Sequence, residues 1–294
     1  MPHAHRLHSA AANDDAAVPD LSEAAIGRLI DHPQFEAAMH HAAATIVELY
    51  DGNWLLNRIA NDRGRMGLGL MILALSFGGE ATGGFTAAQL QAEATAYGLC
   101  SRGRLTAFLA TLRVAGFLKA VADDDRRLRR LVPTERFCAL HRARWQRICA
   151  GLIPLDPAVE TWLPLLDQHE FLGALADTLL EPFRHGIRVL NFVPLLRAAA
   201  ERDAGVTVLF ALWLGEQAGK PVTIAALARL FSVSRAHVLT VLREGQAAGL
   251  AVSTSDRGGF RAGPALAPAL SRFCAVMFLH QLHALRQAAM RTGG

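Results

Sequence analysis

The sequence predicts a mainly α-helical protein that carries two small β-hairpins and is built as two similar halves. Three observations lead there. Hydrophobic residues make up 52% of the chain and are rich in alanine and leucine, which are strong helix formers. Charged residues are 19% of 294, too few for a disordered chain and enough length for one large core or two domains. One stretch of helix, turn, helix and hairpin chemistry then occurs twice in the same internal order, which is the strongest signal present.

The clearer copy runs from Val222 to Arg261. Thr223 suits a helix cap, and Ile224, Leu227, Ala228 and Phe231 give the following helix one apolar face. Ser232, Val233 and Ser234 form a turn. Ser234 caps a second helix whose inward face is Val238, Val241, Leu242 and Gly245, and Gly249 ends it. Leu250 to Val252 reads as a strand, Asp256 to Gly259 has hairpin-turn chemistry, and Phe260 begins the return strand. Helix, turn, helix, hairpin is the order of a winged helix-turn-helix, whose second helix can enter a DNA major groove. The other copy begins at Phe85. Thr86 and Gln89 have capping-box spacing, Ser101 and Arg102 match Ser234 and Arg235, and Gly116 matches Gly249. Leu105, Phe108, Leu109 and Leu112 line its second helix. Phe117 to Val121 and Leu128 to Val132 flank the polar turn Asp123 to Asp125. The lead-in repeats too: Leu70 to Leu75 matches Val208 to Trp213.

Around these copies the chain reads as helix. Residues 1–19 form a loose tail in which His3, His5 and His8 have no fixed geometry for a metal. A short helix is expected over Asp20 to Asp31 and a long amphipathic one from Phe35 to about Asn61, bent at Gly52. Thr134 caps a helix that runs until Pro154 and Pro157 break the chain. A second long helix is expected from near Val159, kinked or ended by Pro182. More helix follows from Ile187 to about Glu201, interrupted near Pro194, and a last helix runs from about Pro268 to Arg291. The expected divisions are therefore the tail, a helical plus winged half over 20–153, and a second such half over 154–294.

The net charge of +4 permits a nucleic-acid partner without demanding one, and its arginine bias suits phosphate. No segment approaches the roughly 20 apolar residues of a membrane span. The N-terminus lacks a signal-peptide pattern, and Cys100, Cys138, Cys149 and Cys274 have no metal-type spacing. A reduced, cytoplasmic protein is the expectation.

The leucine-rich lead-in helix, the Ser-Arg at each second helix, the glycine before each first wing strand, and Leu131-Val132-Pro133-Thr134 after the first hairpin carry a resemblance. The chain resembles the MarR family of bacterial transcriptional regulators, over most of its length except the tail. In that family a homodimer pairs through terminal helices and presents two winged modules to DNA. The resemblance implies both protomers in one chain: two winged helix-turn-helix modules joined by a helical, dimerisation-like bundle, a monomer acting as a pseudo-dimer and open to further dimerisation. It also implies double-stranded DNA as partner and a small apolar or phenolic ligand held between the helical and winged parts.

The candidate DNA-binding residues differ between the copies. In the second, Ala236, Thr240, Arg243 and Ala247 face outward, with Arg235 and His237 at the helix start beside Ser234. Arg243 can read guanine with two hydrogen bonds, Thr240 can touch a base, and Arg235 with the first amides suits phosphate. In the first, Gly103, Ala107, Ala110 and Val114 face outward and read sequence poorly, with Arg102 and Arg104 beside them. That face fits thymine methyls, lies close to the DNA backbone, or packs on protein, so the expected target is asymmetric. The first wing brings Arg126, Arg127, Arg129 and Arg130 together; the second offers Arg257 and Arg261. Cys100, just before the first copy's second helix, is a candidate redox residue. The four tryptophans can line a ligand cavity or simply fill the core.

No phosphate loop, nucleophile elbow or metalloprotease helix is present, so no enzyme and no cofactor are expected. Two rival readings stay open. One is a plasmid-type replication initiator, which also binds DNA, at repeated sites. The other is a winged-helix protein-interaction module that does not touch DNA, supported by the apolar outward face of the first copy.

Overall fold

The computed structural model describes residues 18–50, 63–78, 83–122, 129–254 and 259–293. The expected tail, the bend at Gly52, the Asp123–Asp125 turn and the second hairpin tip lie outside the described residues, as do Arg126, Arg127 and Arg257. Among the described residues the chain forms fourteen α-helices and two small antiparallel sheets. A mainly helical protein is thus what the alanine- and leucine-rich composition produces.

Helix α1 (Glu23–Ile30) starts where the Ser22 hydroxyl accepts the Ala25 N–H at 3.2 Å. Helix α2 (Phe35–Tyr50) and α3 (Arg63–Phe77) follow, and Met71, Ile72 and Leu73 of α3 are fully buried. Strand β1 (Phe85–Thr86) leads into α4 (Ala87–Ala96), which begins with the expected capping box between Thr86 and Gln89. Helix α5 (Arg102–Val114) is capped by Ser101. Strands β2 (Leu118–Ala122) and β3 (Arg129–Pro133) then pair, and β1 joins the far side of β3 with Phe85 opposite Leu131. Thr134 stands at the cap position of α6 (Glu135–Ala150), but its hydroxyl does not cap the helix. It donates instead to the Gly116 carbonyl at 2.8 Å and so ties the hairpin exit to the end of α5.

The long helix expected from Val159 is broken. Helix α7 (Ala158–Trp162) passes into a 3₁₀ turn (Leu163–Asp167) before α8 (His169–Arg184) begins. Pro164 sits at the start of that turn, where it lacks the amide an α-helix needs. Pro182 lies inside α8, which stops two residues later. Short helices α9 (Val189–Phe192) and α10 (Arg197–Ala200) flank a second 3₁₀ turn at Pro194–Leu196. Then come α11 (Gly205–Gln217), α12 (Ile224–Leu230), α13 (Arg235–Ala247), β4 (Ala251–Ser253), β5 (Phe260–Ala262) and the long α14 (Leu266–Thr292).

The sequence repeat is also a structural one. Ser101 and Ser234 each accept the third helical amide, and Gly116 and Gly249 leave their helices at φ +72° and +73°. The next amide returns to the helix at 2.8 Å in both copies, Phe117 to Leu112 and Leu250 to Gly245. The turns differ by one residue. Leu99 and Val233 bind equivalent carbonyls, Ala94 and Ala228, but Cys100 is inserted before the serine cap in the first copy only. Helices α12 and α13 meet at a bend of 114°.

The segments 20–153 and 154–294 exchange helices. Helix α3 packs on α8, and α2 packs on α11; α14 crosses α8 and also contacts α2. At the α3–α8 contact the Phe77 and His169 rings stack at 4.8 Å, and a Cβ at Gly173 would fall 2.5 Å from the Phe77 carbonyl carbon. One hydrophobic core therefore runs through both segments. Among the described residues no single helix is long and apolar enough to cross a membrane.

The close crossing gives the first prediction. Gly173→Ala should force α3 and α8 apart and cost about 2–3 kcal/mol in urea unfolding. Gly27→Ala, in α1 with nothing within 4 Å of the new methyl, should instead stabilise by about 0.5–1 kcal/mol. Equal effects of the two changes would mean the crossing is looser than described.

Candidate functional site

Two features stand out: the outer faces of the paired helix–hairpin units, and a cavity between the halves. On α13, the residues expected outward are so placed. Ala236, Arg243 and Ala247 are exposed, and Thr240 is half-buried with its hydroxyl on the Ala236 carbonyl at 3.0 Å. Arg235 is the exposed first residue of the helix. On α5, Arg102 and Arg104 are exposed beside Gly103, Ala107, Ala110 and Val114, and Val114 is 92% exposed. Arg129 is exposed at the start of β3.

Other candidates are turned to internal use. Ser234 and its counterpart Ser101 hold helix amides. The His237 ring donates from Nε2 to the Asp203 carbonyl at 2.8 Å, so it faces the segment before α11 rather than the outer face. Arg130 is half-buried and donates to the Gly84 carbonyl at 3.3 Å, closing β3 onto the start of β1. Arg261 on β5 forms a two-point pair with Glu216 of α11, with Nε to Oε2 at 3.2 Å. That hydrogen-bonded guanidinium holds the Glu216 carboxyl below its ordinary range. The two residues are 45 positions apart, and no local pattern announces the pair. Cys100 is half-buried one position before the cap, not at the helix terminus itself.

The charges sort by location. In the helical bundle Arg28, Arg142, Arg147, Arg184, Arg272, Arg286 and Arg291 each lie against a carboxylate. Among the described residues Arg102, Arg113, Arg129, Arg229, Arg235 and Arg243 of the helix–hairpin units have no such partner, and in the bundle neither do Arg197 and Arg136, the latter donating to the Ala115 carbonyl at 3.0 Å. Helix α5 contains no acidic residue. The one acid of α13, Glu244, is held by Arg202, whose Nε lies 3.2 Å from Oε2, and its carboxyl is depressed by that bond.

The cavity has a volume of about 370 Å³, at the small end of the range of ligand sites, and its wall is mostly apolar. Ile46 of α2, Trp145 of α6, Phe183 of α8, Phe210 of α11 and Phe278 of α14 line it. Trp162 and Trp213 do not, and Trp54 is outside the described residues. Two polar groups of α14 stand among the apolar ones. Gln281 is 6% exposed and its Oε1 has no hydrogen-bond partner. His280 is hydrogen-bonded to the Leu179 backbone, and its Nε2 is enclosed and without a partner. Burial first, and the neighbouring His283 second, push the His280 ring down to about 4, so it is neutral near pH 7. No sequence spacing marks these residues as cavity-lining groups.

A second grouping is invisible in sequence spacing. Glu135 and Cys138 of α6 and His169 of α8 bring three donor atoms within 4.8 Å of one another. Glu135 already bonds Arg142 at 3.0 Å and His169 at 3.3 Å, and burial plus the Glu135 charge push the Cys138 thiol up to about 11. Cys149 is pushed up to about 12 and Cys274 higher still by burial, so these thiols are inert packing groups.

Comparison with family models, with curated proteins and with solved structures finds no match for this chain.

His280 sets a pH dependence. Its pKa is lower in the folded chain than in the unfolded one, so its neutral burial is fully favourable above about pH 6.5 and is lost as pH falls towards 4. Lowering pH from 7 to about 4.5 should therefore cost roughly 1–2 kcal/mol more in the native chain than in His280→Gln, measured by urea unfolding. An identical loss in both would show that this ring is solvated.

Proposed function

We propose that this chain is a sequence-specific DNA-binding regulator of MarR-like type, with the two helix–hairpin units acting as winged helix-turn-helix modules and both protomer equivalents in one chain. The observation that carries this is the set of exposed arginines without a carboxylate partner on the two helix–hairpin units, among them Arg102, Arg129, Arg235 and Arg243, whereas most bundle arginines are paired. Unmatched guanidinium groups at helix starts are suited to phosphate, and two such helices on one rigid body suit two contacts along a duplex. The 114° bend between α12 and α13 lies in the range of DNA-binding helix pairs, about 90–120°. Arg235 with the first amides of α13 would hold phosphate, and Arg243 with Thr240 would face base edges. His237 and Arg261 act from within, fixing α13 and β5 to the body. The cavity between the halves supports a response to a small ligand.

The first module favours a different use. With Gly103, Ala107, Ala110 and Val114 outward, α5 offers apolar contact and almost no hydrogen bonds. It anchors the duplex through Arg102 or meets a protein, so the two modules would not read equivalent half-sites. A replication initiator would share the DNA contacts and differ in having repeated sites.

Selection from random duplexes, followed by fluorescence anisotropy across salt concentrations, tests this. Binding should weaken about tenfold in Arg243→Ala with relaxed sequence choice. In Arg235→Ala it should weaken on all sequences, with the salt slope reduced by about 1. Arg261→Ala should lower stability without changing that slope. Footprints should be asymmetric; repeated sites would favour the initiator reading, and no binding at low salt would end the DNA reading.

A further inference from the structure

Three donor groups converge where the two halves of the chain meet. Glu135 and Cys138 lie three residues apart on α6, so both leave one face of the helix, and His169 opens α8 across from them. The Glu135 carboxylate, the Cys138 thiol and the His169 ring nitrogen lie within 4.8 Å of one another. A tetrahedral zinc ion with bonds of about 2.0–2.3 Å sets its ligands about 3.3–3.7 Å apart, so these atoms need to close by only about 1 Å. The Glu135 and His169 side chains are 63% and 45% exposed and can make that movement by rotation. Cys138 is buried, which gives the site a fixed side and an open mouth.

The two exposed donors are held by neighbours that would not touch the ion. Arg142 donates from Nη1 to Glu135 Oε1 at 3.0 Å, which leaves Oε2, 3.3 Å from His169 Nε2, turned to the site. The Nε of the same guanidinium lies 3.2 Å from both the Leu166 carbonyl and the Asp167 carboxylate, and so fixes the segment that leads into His169. The Phe77 ring stacks flat on the imidazole at 4.8 Å. Outer contacts of this kind orient the ligands of metal centres. The charge fits as well. With the thiol ionised, Glu135, Asp167 and Cys138 set against Arg142 leave two negative charges, which one divalent cation cancels. As the metal–sulfur bond forms, the thiol proton passes to solvent, and His169 binds through Nε2 as its Nδ1–H tautomer. Thiolate, imidazole and carboxylate together suit zinc, whereas magnesium and calcium take oxygen ligands.

We propose that Glu135, Cys138 and His169 form a zinc site, with water as the fourth ligand, that clasps α6 of the first half to α8 of the second. It uses none of the candidate DNA-contacting residues and stands independently of the DNA reading.

Cobalt(II) is the probe, because it takes the same geometry and reports a thiolate bond by charge-transfer absorption. Titrated into the full chain after EDTA treatment and dialysis, it should give a charge-transfer band that saturates at one equivalent and that zinc abolishes. Chelator competition should give a zinc Kd of about 1 μM or below. Cys138→Ala should lose the band. Glu135→Gln, an exposed change of equal size whose melting curve checks the fold, should bind zinc at least about tenfold more weakly. Zinc at about 100 times its Kd should raise the native Tm by about 5 °C, and at the same concentration should raise that of Glu135→Gln by about half as much or less. No band up to about 1 mM cobalt(II) overturns the site, as does a band that survives in Cys138→Ala. Cobalt uptake without the band, as histidines His3, His5 and His8 would give, overturns it too. Should Cys138→Ala not fold, an unchanged zinc affinity in Glu135→Gln overturns it. A band lost in Cys138→Ala with no rise in native Tm supports the site and overturns the clasp.

Discussion

The fold depends on α8 lying directly on α3. At Gly173 the absence of a side chain lets the two backbones approach, and the Phe77–His169 stack closes the contact beside it. Because α3 belongs to the first half and α8 to the second, neither half buries its own lead-in helix alone. The reciprocal contact of α2 with α11, where His40 lies against Trp213 at 6.0 Å, completes the exchange. Interleaving of this kind removes apolar surface from water that two separate units would leave open, and it makes the pair one cooperative body. Both helix–hairpin units therefore project from a shared frame, and their spacing is set by helix packing instead of by a linker.

Electrostatics divides the molecule the same way. Most guanidinium groups in the frame are answered by carboxylates, several of them from distant segments, such as Arg272 on Glu23 and Arg286 on Asp156. These exposed pairs contribute little stability singly, but they cancel charge over the frame. What stays unbalanced among the described residues is concentrated on α5, α13 and β3, so the mild net charge of +4 understates the local field there.

Local chemistry was legible in the sequence, and long-range chemistry was not. The caps at Thr86, Ser101, Thr223 and Ser234 and the left-handed exits at Gly116 and Gly249 depend on residues a few positions apart, and all were readable. The outward faces of α5 and α13 followed from helical period alone. By contrast, the Arg261–Glu216 pair, the His237–Asp203 bond, the Glu135–Cys138–His169 grouping and the cavity join residues between 31 and 45 positions apart or more. No periodicity encodes such meetings; they arise only once α8, α11 and α14 are packed. The break at Pro164 was missed for another reason. Apolar residues on both sides keep helical spacing through the 3₁₀ turn, so the pattern outruns the hydrogen bonds.

The extra strand of the first unit has a mechanical consequence. There, β1 adds a backbone ladder between the segment leading into α4 and the hairpin, through Phe85–Leu131 and Thr86–Arg130. Among the described residues the second unit's sheet consists of β4 and β5, and β5 is tethered to α11 by the Arg261–Glu216 pair, which salt screens. A ladder of amides is indifferent to ionic strength; a side-chain tether at the surface is not. The two hairpins thus differ in how they are held to the body, the first by backbone pairing that salt leaves alone and the second by a surface ion pair that salt weakens.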